Sequence, residues 1–298
     1  MHCSYYTFVL AVALGSCASS TLTFPTPVAA VQTLLESAEN ANAAEELLGV
    51  GGFDVLRSGD DVSDRDDLAV VRALIAQKLV FDEVDDDRCV ALLGDDGWPL
   101  PIPIVRAGDG WRFDVEAGKE EILNRRVGRN ELSTIATLRA CVEAQLEYAS
   151  VGRDGEPPRF AGKWRSSQGT HDGLYWPVAD GGGDSPLGPL VAAADASGYR
   201  RSATNVPVPY HGYLFRILTA QGPGAPGGAR DYVDASGSLS EGFGFLAWPV
   251  SYGNSGVMSF KVNQQGIVFE RDLGDRTAAI VAGITSYDPA LNWSPVGL

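Results

Sequence analysis

The residues best suited to acid–base chemistry in this sequence are His171, Asp172 and His211. An imidazole changes its charge near neutral pH and a carboxylate can orient it, so this set could serve a hydrolase as general acid and base. His171 and Asp172 are neighbours in the segment HDGLYWP, however, and neighbouring side chains in an extended chain point in opposite directions. The three residues are therefore catalytic candidates, and structural roles in turns or hydrogen bonds are the alternative.

Other catalytic and cofactor motifs find less support. Ser255 lies in the segment GNSG, which lacks the G-x-S-x-G frame of a nucleophile turn and favours a glycine hairpin instead. The histidines and cysteines do not have the spacing of a zinc site. The chain has no Walker A sequence and no G-x-G-x-x-G that opens a helix after a strand. The sequence therefore predicts no metal and no cofactor.

Aromatic residues are the strongest binding signal, because aromatic rings stack on sugars and anchor protein interfaces. The chain contains six tryptophans and ten tyrosines. We expect most of them in the core. Those in the segments LYWP and PYHGY are predicted to form one exposed binding cluster: Tyr175, Trp176, Tyr210 and Tyr213.

The charge of the chain excludes one class of partner. The formal net charge is −15, which repels nucleic acid and anionic membrane surfaces. Acidic residues are densest in residues 45–96, and they lack the spacing of a calcium-binding loop. This stretch is therefore predicted to be a solvated acidic face.

The first 23 residues resemble a removable targeting segment. Residues 5–14 (YYTFVLAVAL) form an apolar stretch too short to span a bilayer, and small residues follow it. Residues 14–17 (LGSC) resemble a bacterial lipobox, in which Cys17 would be lipidated; simple cleavage is the alternative. Either route predicts an exported protein, in the periplasm or the outer envelope, which meets the membrane only through an N-terminal lipid anchor.

Two cysteines, Cys89 and Cys141, remain beyond this segment. In an exported chain they could form one disulfide. Two buried free thiols, acting as small hydrophobic residues, are the alternative, and the sequence leaves both open.

Residues 24–117 read as helices followed by strands. Apolar periodicity predicts helices from Pro27, over residues 43–48 and over residues 64–79, with Thr26 capping the first. Strands are predicted over residues 88–93, 98–106 and 110–115, the last two forming a hairpin. This order of elements resembles the cone-shaped fold of nuclear transport factor two, and the resemblance implies an enclosed pocket.

Residues 118–150 are predicted to form a spine helix between two domains, interrupted or kinked at Gly128. Its first half carries Arg125, Arg126 and Arg129 with Glu121 and Glu131. This cluster favours an ion-pair network that ties the two halves together, and an anion-binding site is the alternative.

Residues 151–298 begin with loops and continue as a glycine-rich antiparallel meander with flanking helices. The strands are predicted at residues 210–221, 242–250, 257–263 and 266–273, because short glycine turns separate alternating apolar segments. Helices are expected over residues 187–196 and 277–284. The whole chain is therefore expected to be an α+β protein.

Several motifs together resemble one bacterial exported family, known as domain of unknown function 2950. They are GWP with PIP at 97–103, residues 121–132, HDGLYWP at 171–177, SPLGPL at 185–190, residues 210–221, AWP at 247–249 and residues 263–266. The resemblance covers residues 24–296 and implies a two-part envelope protein, with no activity attached. The segment 152–168 departs from the pattern, since it has only Arg153-Asp154-Gly155 where family members carry a longer insert.

The function expected from these observations is a non-enzymatic binding or assembly factor. Its partner would be an envelope protein or a cell-wall ligand. The alternative is a hydrolase of cell-wall glycan or peptide centred on His171, Asp172 and His211.

Overall fold

The computed structural model of the chain describes residues 22–49, 51–180, 183–197, 199, 208–290 and 292–297. It is an α+β protein with antiparallel sheets. The candidate lipidation site Cys17 and all but the end of the predicted targeting segment lie outside these residues.

The N-terminal part begins with helices. Within the described residues they are α1 (Pro27–Ser37), α2 (Ala41–Leu48), α3 (Gly52–Leu56) and α4 (Asp61–Gln77). The predicted cap of α1 is confirmed, because the Thr26 hydroxyl accepts a 3.2 Å hydrogen bond from the amide of Ala29 and Pro27 occupies the first turn. The third predicted helix begins earlier than expected, because Asp60 caps it by accepting bonds from Val62 and Ser63.

A five-stranded antiparallel sheet follows in this part of the described chain. Its strands are β1 (Leu79–Asp85), β2 (Arg88–Leu93), β3 (Trp98–Pro99), β4 (Ile104–Ala107) and β5 (Gly110–Phe113). The order is β1-β2-β4-β5, and β3 pairs with β2 outside this path. The sequence predicts a single strand over residues 98–106, and this prediction is wrong. The segment contains two strands, β3 and β4, because Pro101 and Pro103 lie between them and cannot donate ladder hydrogen bonds.

Strand β1 was missed by sequence analysis, which extended the preceding helix to Leu79. The residues from Asp82 to Asp87 are all exposed, as predicted for a solvated acidic face. Because the second half of β1 is exposed on both faces, it lacks the alternation of apolar and polar residues that identifies a half-buried strand. Asp60 is an exception within the acidic stretch, since it is 2% exposed.

A single long helix, α5 (Val115–Tyr148), connects the two parts of the chain. The predicted interruption at Gly128 is wrong, since the helix continues through it. A glycine inside a helix costs only about 1 kcal/mol, and packing along the length of α5 outweighs that cost. Near its start Gly118 lies against Ile102, and further along Leu138 and Val142 belong to the core beneath the C-terminal sheet.

The remaining elements form the C-terminal part. The described residues contain α6 (Gly188–Ala196), α7 (Thr277–Ala282), short 3₁₀ turns at Val178–Asp180 and Gly274–Arg276, and seven strands: β6 (Tyr213–Leu218), β7 (Ala220–Gln221), β8 (Arg230–Asp231), β9 (Gly244–Pro249), β10 (Met258–Asn263), β11 (Phe269–Asp272) and β12 (Ser294–Pro295). Strands β7 and β8 pair with each other, and the other five form an antiparallel sheet in the order β12-β11-β10-β9-β6.

This sheet is covered on both faces. All six residues of β9 are buried, with Phe245 and Ala247 in the core shared with α5 and Leu246 and Trp248 in a second core that includes Tyr287. The C-terminal part is therefore built around β9 and β10, and α5 closes one of its faces.

Candidate functional site

One cavity among the described residues lies beside α4. It has a volume of about 410 Å³, and we call it the α4 cavity. Its apolar walls come from α1, α3, α4, α5 and the segment around β3; they include Leu34, Leu56, Leu68, Val71, Leu74, Trp98, Ile102 and Ile122.

Helix α4 explains why this space exists. Leu68, Val71 and Leu74 form an apolar stripe at helical spacing, yet none of the 17 residues of α4 is buried. An amphipathic helix ordinarily buries such a stripe against the core. Here Val71 and Leu74 are partly buried against the N-terminal core, and the rest of the apolar surface of the stripe borders the cavity, where it is available to a ligand.

One face of α5 forms the cationic side of the cavity. Ile122, Arg125, Arg126 and Arg129 are spaced so that they share this face, and all four line the space. Arg125 is held by Glu121 at 2.6 Å, by the carbonyl oxygen of Pro99 at 2.8 Å and by the Trp98 ring, whose centroid lies 4.8 Å from the guanidinium carbon.

Arg126 is the most deeply buried of these cations, with 6% of its surface exposed. It donates hydrogen bonds to the carbonyl oxygens of Val55 at 2.7 Å and Arg57 at 3.0 Å, and also to the side-chain oxygen of Asn254. All three acceptors are neutral. Burial lowers the pKa of the Arg126 guanidinium, although Asp64 and Asp67 oppose the shift.

The carboxylates of the cavity are engaged by arginines. Asp64 lies 3.1 Å from Arg57, and Asp67 lies 2.5 Å from Arg129. Burial raises the pKa of Asp67, although Arg129 acts against the shift. The predicted ion-pair network thus exists in part.

Glu131, which was expected in that network, has a different role. Its carboxylate accepts hydrogen bonds from the backbone amides of Val257 and Met258, both at 2.9 Å. It therefore fastens the turn before β10 to α5.

His171 and Asp172 each have partners elsewhere in the chain. The His171 ring nitrogen Nδ1 lies 2.6 Å from Asp154, and the ring packs edge-on against Trp176. Hydrogen bonds from His171 lower the pKa of Asp154. The partner that the structure gives to the Nδ1 atom of His171 is thus Asp154, and a catalytic role of His171 stays a prediction.

Asp172 instead organises a turn. It accepts bonds from Lys163 at 2.5 Å, from the Ser167 amide at 2.7 Å and from the Thr170 hydroxyl at 3.0 Å. Burial alone would raise the pKa of this carboxyl, but these hydrogen bonds lower it overall. The alternative role that the sequence offered for Asp172, a hydrogen-bonding residue in a turn, is the one observed.

His211 belongs to a separate aromatic cluster. Its ring centroid lies 4.3 Å from that of Tyr210 and 5.6 Å from that of Tyr199, and burial lowers its pKa. The Tyr199 hydroxyl donates to Asp60 at 2.8 Å. Tyr199 and Tyr210 also line a second apolar cavity of about 490 Å³, together with Cys141, Trp164, Leu190, Val191 and Phe215.

The predicted aromatic binding cluster is not an exposed surface. Trp176 is 1% exposed and Tyr213 is fully buried, whereas Tyr175 and Tyr210 are half-buried. Tyr213 donates to the carbonyl of Met258 at 2.9 Å, and Trp176 donates to that of Gly183 at 3.0 Å. The prediction that Trp176 and Tyr213 lie on the surface is therefore wrong. Both rings can be buried because their polar atoms have hydrogen-bond acceptors inside the protein.

Ser255 is a structural residue of the β9–β10 turn. It is fully buried, accepts a hydrogen bond from the amide of Ser251 at 3.0 Å and donates to the carbonyl of Ser251 at 3.2 Å. This confirms the hairpin interpretation.

The two cysteines are both buried free thiols, Cys89 in the N-terminal core and Cys141 in the core beside α5. Of the two alternatives left open by the sequence, free thiols are the one found. In the described part of the chain, no group of three or more His, Cys, Asp and Glu side chains is placed to hold a metal ion. Nor does any helix there have the length and apolarity needed to cross a bilayer.

The fold and the two cavities define an α+β protein with interior space for apolar groups. Residues 21–296 match the family described as "Protein of unknown function (DUF2950)", so the chain belongs to this family. A search of curated proteins and a search of solved structures each found no significant match.

The α4 cavity is not predicted by the sequence as a single site, although both of its signals are present there. One is the apolar stripe of α4, and the other is the set of arginines at positions 125, 126 and 129. Each predicts a separate feature: the stripe predicts a packed helix, and the arginines predict an ion-pair network, with an anion-binding site as the alternative. Only the fold brings the two faces together.

Proposed function

We propose that this protein is a non-enzymatic binding protein of the cell envelope and that the α4 cavity holds its ligand. The observation that carries the proposal is the apolar stripe of α4, whose residues Leu68, Val71 and Leu74 are only half-buried and line a cavity. Removing apolar surface from water contributes about 25 cal/mol per Å². A ligand with an apolar body would therefore gain free energy by covering this stripe.

The size of the cavity supports a small ligand. Pockets for small molecules have volumes of roughly 300–1,000 Å³ and are mostly apolar with a few polar groups. At about 410 Å³, with apolar walls and arginines on one side, the α4 cavity fits this description. The cone-shaped fold of nuclear transport factor two, whose sheet and helices enclose a pocket, is the arrangement we propose for this part of the chain.

The envelope location rests on residues 5–14 and on the lipobox-like residues 14–17. It is tested by expressing the full chain and a Cys17→Ala variant in a bacterium and separating the membrane and soluble fractions. Lipidation predicts that the native chain sediments with membranes and that the variant does not. Membrane association of the variant would refute lipidation, and retention of both in the cytoplasm would refute export.

Ligand binding is tested with N-phenyl-1-naphthylamine, a neutral fluorophore whose emission rises in apolar surroundings. We expect saturable binding, and we expect Val71→Gln to weaken it about tenfold, or roughly 1.4 kcal/mol, since the amide places a polar group on the cavity wall. Val84→Gln is the matched control, because Val84 lies in the same part of the chain, is 58% exposed and does not line the cavity.

Thermal unfolding of each variant verifies that it is folded. The proposal fails if binding does not saturate, or if Val71→Gln binds like the native protein. It also fails if Val191→Gln, which changes the second cavity, removes binding while Val71→Gln does not.

A hydrolase of cell-wall material is the second candidate function, and one observation favours it. The carboxylate of Asp154 lies 2.6 Å from Nδ1 of His171, which is how a carboxylate orients a general base. This function predicts release of products from muropeptides and loss of that activity in both His171→Ala and Asp154→Asn. Purified protein that leaves muropeptides and glycans intact would eliminate it.

A further inference from the structure

The α4 cavity contains a buried cation that the protein itself does not pair with a carboxylate. Building on the proposed function, we propose that the ligand is a single-chain amphiphile with a terminal anionic group. Its alkyl chain lies along the stripe of α4, and Arg126 and Arg129 receive its head group.

Arg126 is the first argument. It is 6% exposed, and its hydrogen bonds go to two backbone carbonyls and the side-chain oxygen of Asn254. None of the ion pairs within the described residues includes Arg126. A buried charge with no carboxylate in direct contact is costly, and the charges of Asp64 and Asp67 offset only part of the effect of burial on Arg126. An anionic head group beside the guanidinium would supply a direct counter-ion.

Arg129 is the second argument. It follows Arg126 on the same face of α5, and its ion pair with Asp67 joins only one of its nitrogens, NH2, to the carboxylate. A guanidinium has five N–H donors in a planar fork that suits carboxylate and phosphate oxygens. Arg125 is less available, since Glu121, Pro99 and the ring of Trp98 already hold it.

The charge balance of the cavity is the third argument. Five arginines line it, at positions 57, 65, 125, 126 and 129, against three carboxylates, Glu39, Asp64 and Asp67. The three carboxylates are each paired, with Arg72, Arg57 and Arg129 respectively. Among the lining residues the arginines thus outnumber the carboxylates, in a chain whose formal charge is −15. Arg125 and Arg57 also pair with Glu121 and Asp61 outside the lining, so the excess of positive charge is concentrated on Arg126, Arg129 and Arg65.

The apolar part of the ligand follows from the opposite wall. Leu68, Val71 and Leu74 of α4 follow one another at helical spacing along the cavity, beyond the charged residues Asp64, Arg65 and Asp67 nearer the start of the helix. A row of this kind suits an alkyl chain, and each buried methylene contributes about 0.8 kcal/mol. A fatty carboxylate and an alkyl phosphate share this chemistry.

The test is isothermal titration of the full chain with four probes that share one tail: octanoate, octyl phosphate, 1-octanol and octylammonium. We expect each anion to bind at least tenfold more tightly than 1-octanol, and octylammonium to bind more weakly than the alcohol. Whichever of octanoate and octyl phosphate binds with the higher affinity identifies the head group as a carboxylate or a phosphate. Added salt should weaken the binding of both anions and leave the binding of 1-octanol unchanged.

Substitutions locate the head group. Arg126 also holds α3 and the turn at Asn254, so its removal could unfold the protein; Arg129→Gln is therefore the chosen variant. It should reduce the preference for octanoate over 1-octanol by fivefold or more without changing the affinity for 1-octanol. Arg139→Gln is the matched control, since Arg139 is exposed on the same helix outside the cavity.

The outcomes separate the two proposals. Equal affinity for octanoate and 1-octanol in the native protein would overturn the anionic head group and leave the proposed function standing. Failure of all four probes to bind would overturn both. An anion preference that survives Arg129→Gln unchanged would overturn the assignment to this residue.

Discussion

The guanidinium of Arg126 donates a hydrogen bond to the side-chain oxygen of Asn254, which lies 128 residues further along the chain. Asn130, one turn later on α5, donates to the carbonyl of Ser255 at 2.9 Å. Successive turns of α5 thus hold the β9–β10 turn. Because Arg126 also lines the α4 cavity, a single side chain connects the candidate site to the C-terminal sheet.

Removing the carboxylate of Glu131 should destabilise the protein. Glu131→Ala leaves the amides of Val257 and Met258 without their acceptor, so we expect a loss of about 1–3 kcal/mol. Glu131→Gln keeps an acceptor oxygen and should lose less. Urea unfolding measures both, with Glu143→Ala as the exposed control on the same helix. Equal stability of the Glu131→Ala and Glu143→Ala proteins would contradict this role.

Replacing either of two glycines of α5 by alanine should change the stability of the protein, in opposite directions for the two positions. A Cβ at Gly128 meets no atom within 4 Å, so Gly128→Ala should stabilise the protein by about 0.5–1 kcal/mol. A Cβ at Gly118 would lie 2.8 Å from Cα of Ile102, so Gly118→Ala should destabilise it by about 1–3 kcal/mol. Thermal unfolding of the two variants measures both changes in stability. A destabilising Gly128→Ala would mean that α5 is not continuous there.

These glycines illustrate what a sequence can and cannot predict. The spine helix over residues 118–150 and the C-terminal strands between short glycine turns are predicted from local signals, and α5 and strands β6, β9, β10 and β11 lie at those segments. The effect of one glycine depends on tertiary packing, which local periodicity does not contain. Of the interruption or kink predicted at Gly128, the interruption is therefore wrong.

The candidate site was harder to predict for a related reason. Its walls come from separate segments that contribute Leu34, Val71, Trp98 and Ile122, and only the fold brings them together. Residue type also does not reveal burial: Trp176 and Tyr213 have the composition of a binding surface, but each finds a backbone acceptor inside the protein.

Lys261 should make stability depend on alkaline pH. It is 3% exposed on β10, and its ammonium lies 3.9 Å from the centroid of the Trp293 ring. Burial lowers its pKa to about 8; Asp288 opposes the shift and Arg271 adds to it. Between about pH 8 and pH 10.4 the unfolded chain still binds a proton that the folded chain has released, so stability rises with pH in this window.

The comparison with Lys261→Met isolates this effect from other titrating groups. The free energy of unfolding of the native protein, relative to that of the variant, should increase from pH 8 to pH 10. Urea unfolding at each pH measures the difference. A difference that stays constant across this range would show that the lysine titrates normally.

The buried thiols should resist modification in the folded protein. Cys141 is 1% exposed, and burial raises its pKa to about 12, so almost no thiolate forms at neutral pH. Brief treatment with iodoacetamide followed by peptide mass spectrometry should find Cys89 and Cys141 unmodified in buffer and alkylated in urea. A disulfide-linked peptide, or rapid alkylation of Cys141 in buffer, would contradict this arrangement.

Methyl NMR tests the central claim most directly. Protein labelled at Ile, Leu and Val methyl groups is titrated separately with octanoate and with 1-octanol. The α4 cavity predicts shifts at Leu68, Val71 and Ile122, with Leu190 and Val191 of the second cavity unchanged. Shifts confined to Leu190 and Val191, or no shifts with either ligand, would contradict the assignment of the α4 cavity as the binding site.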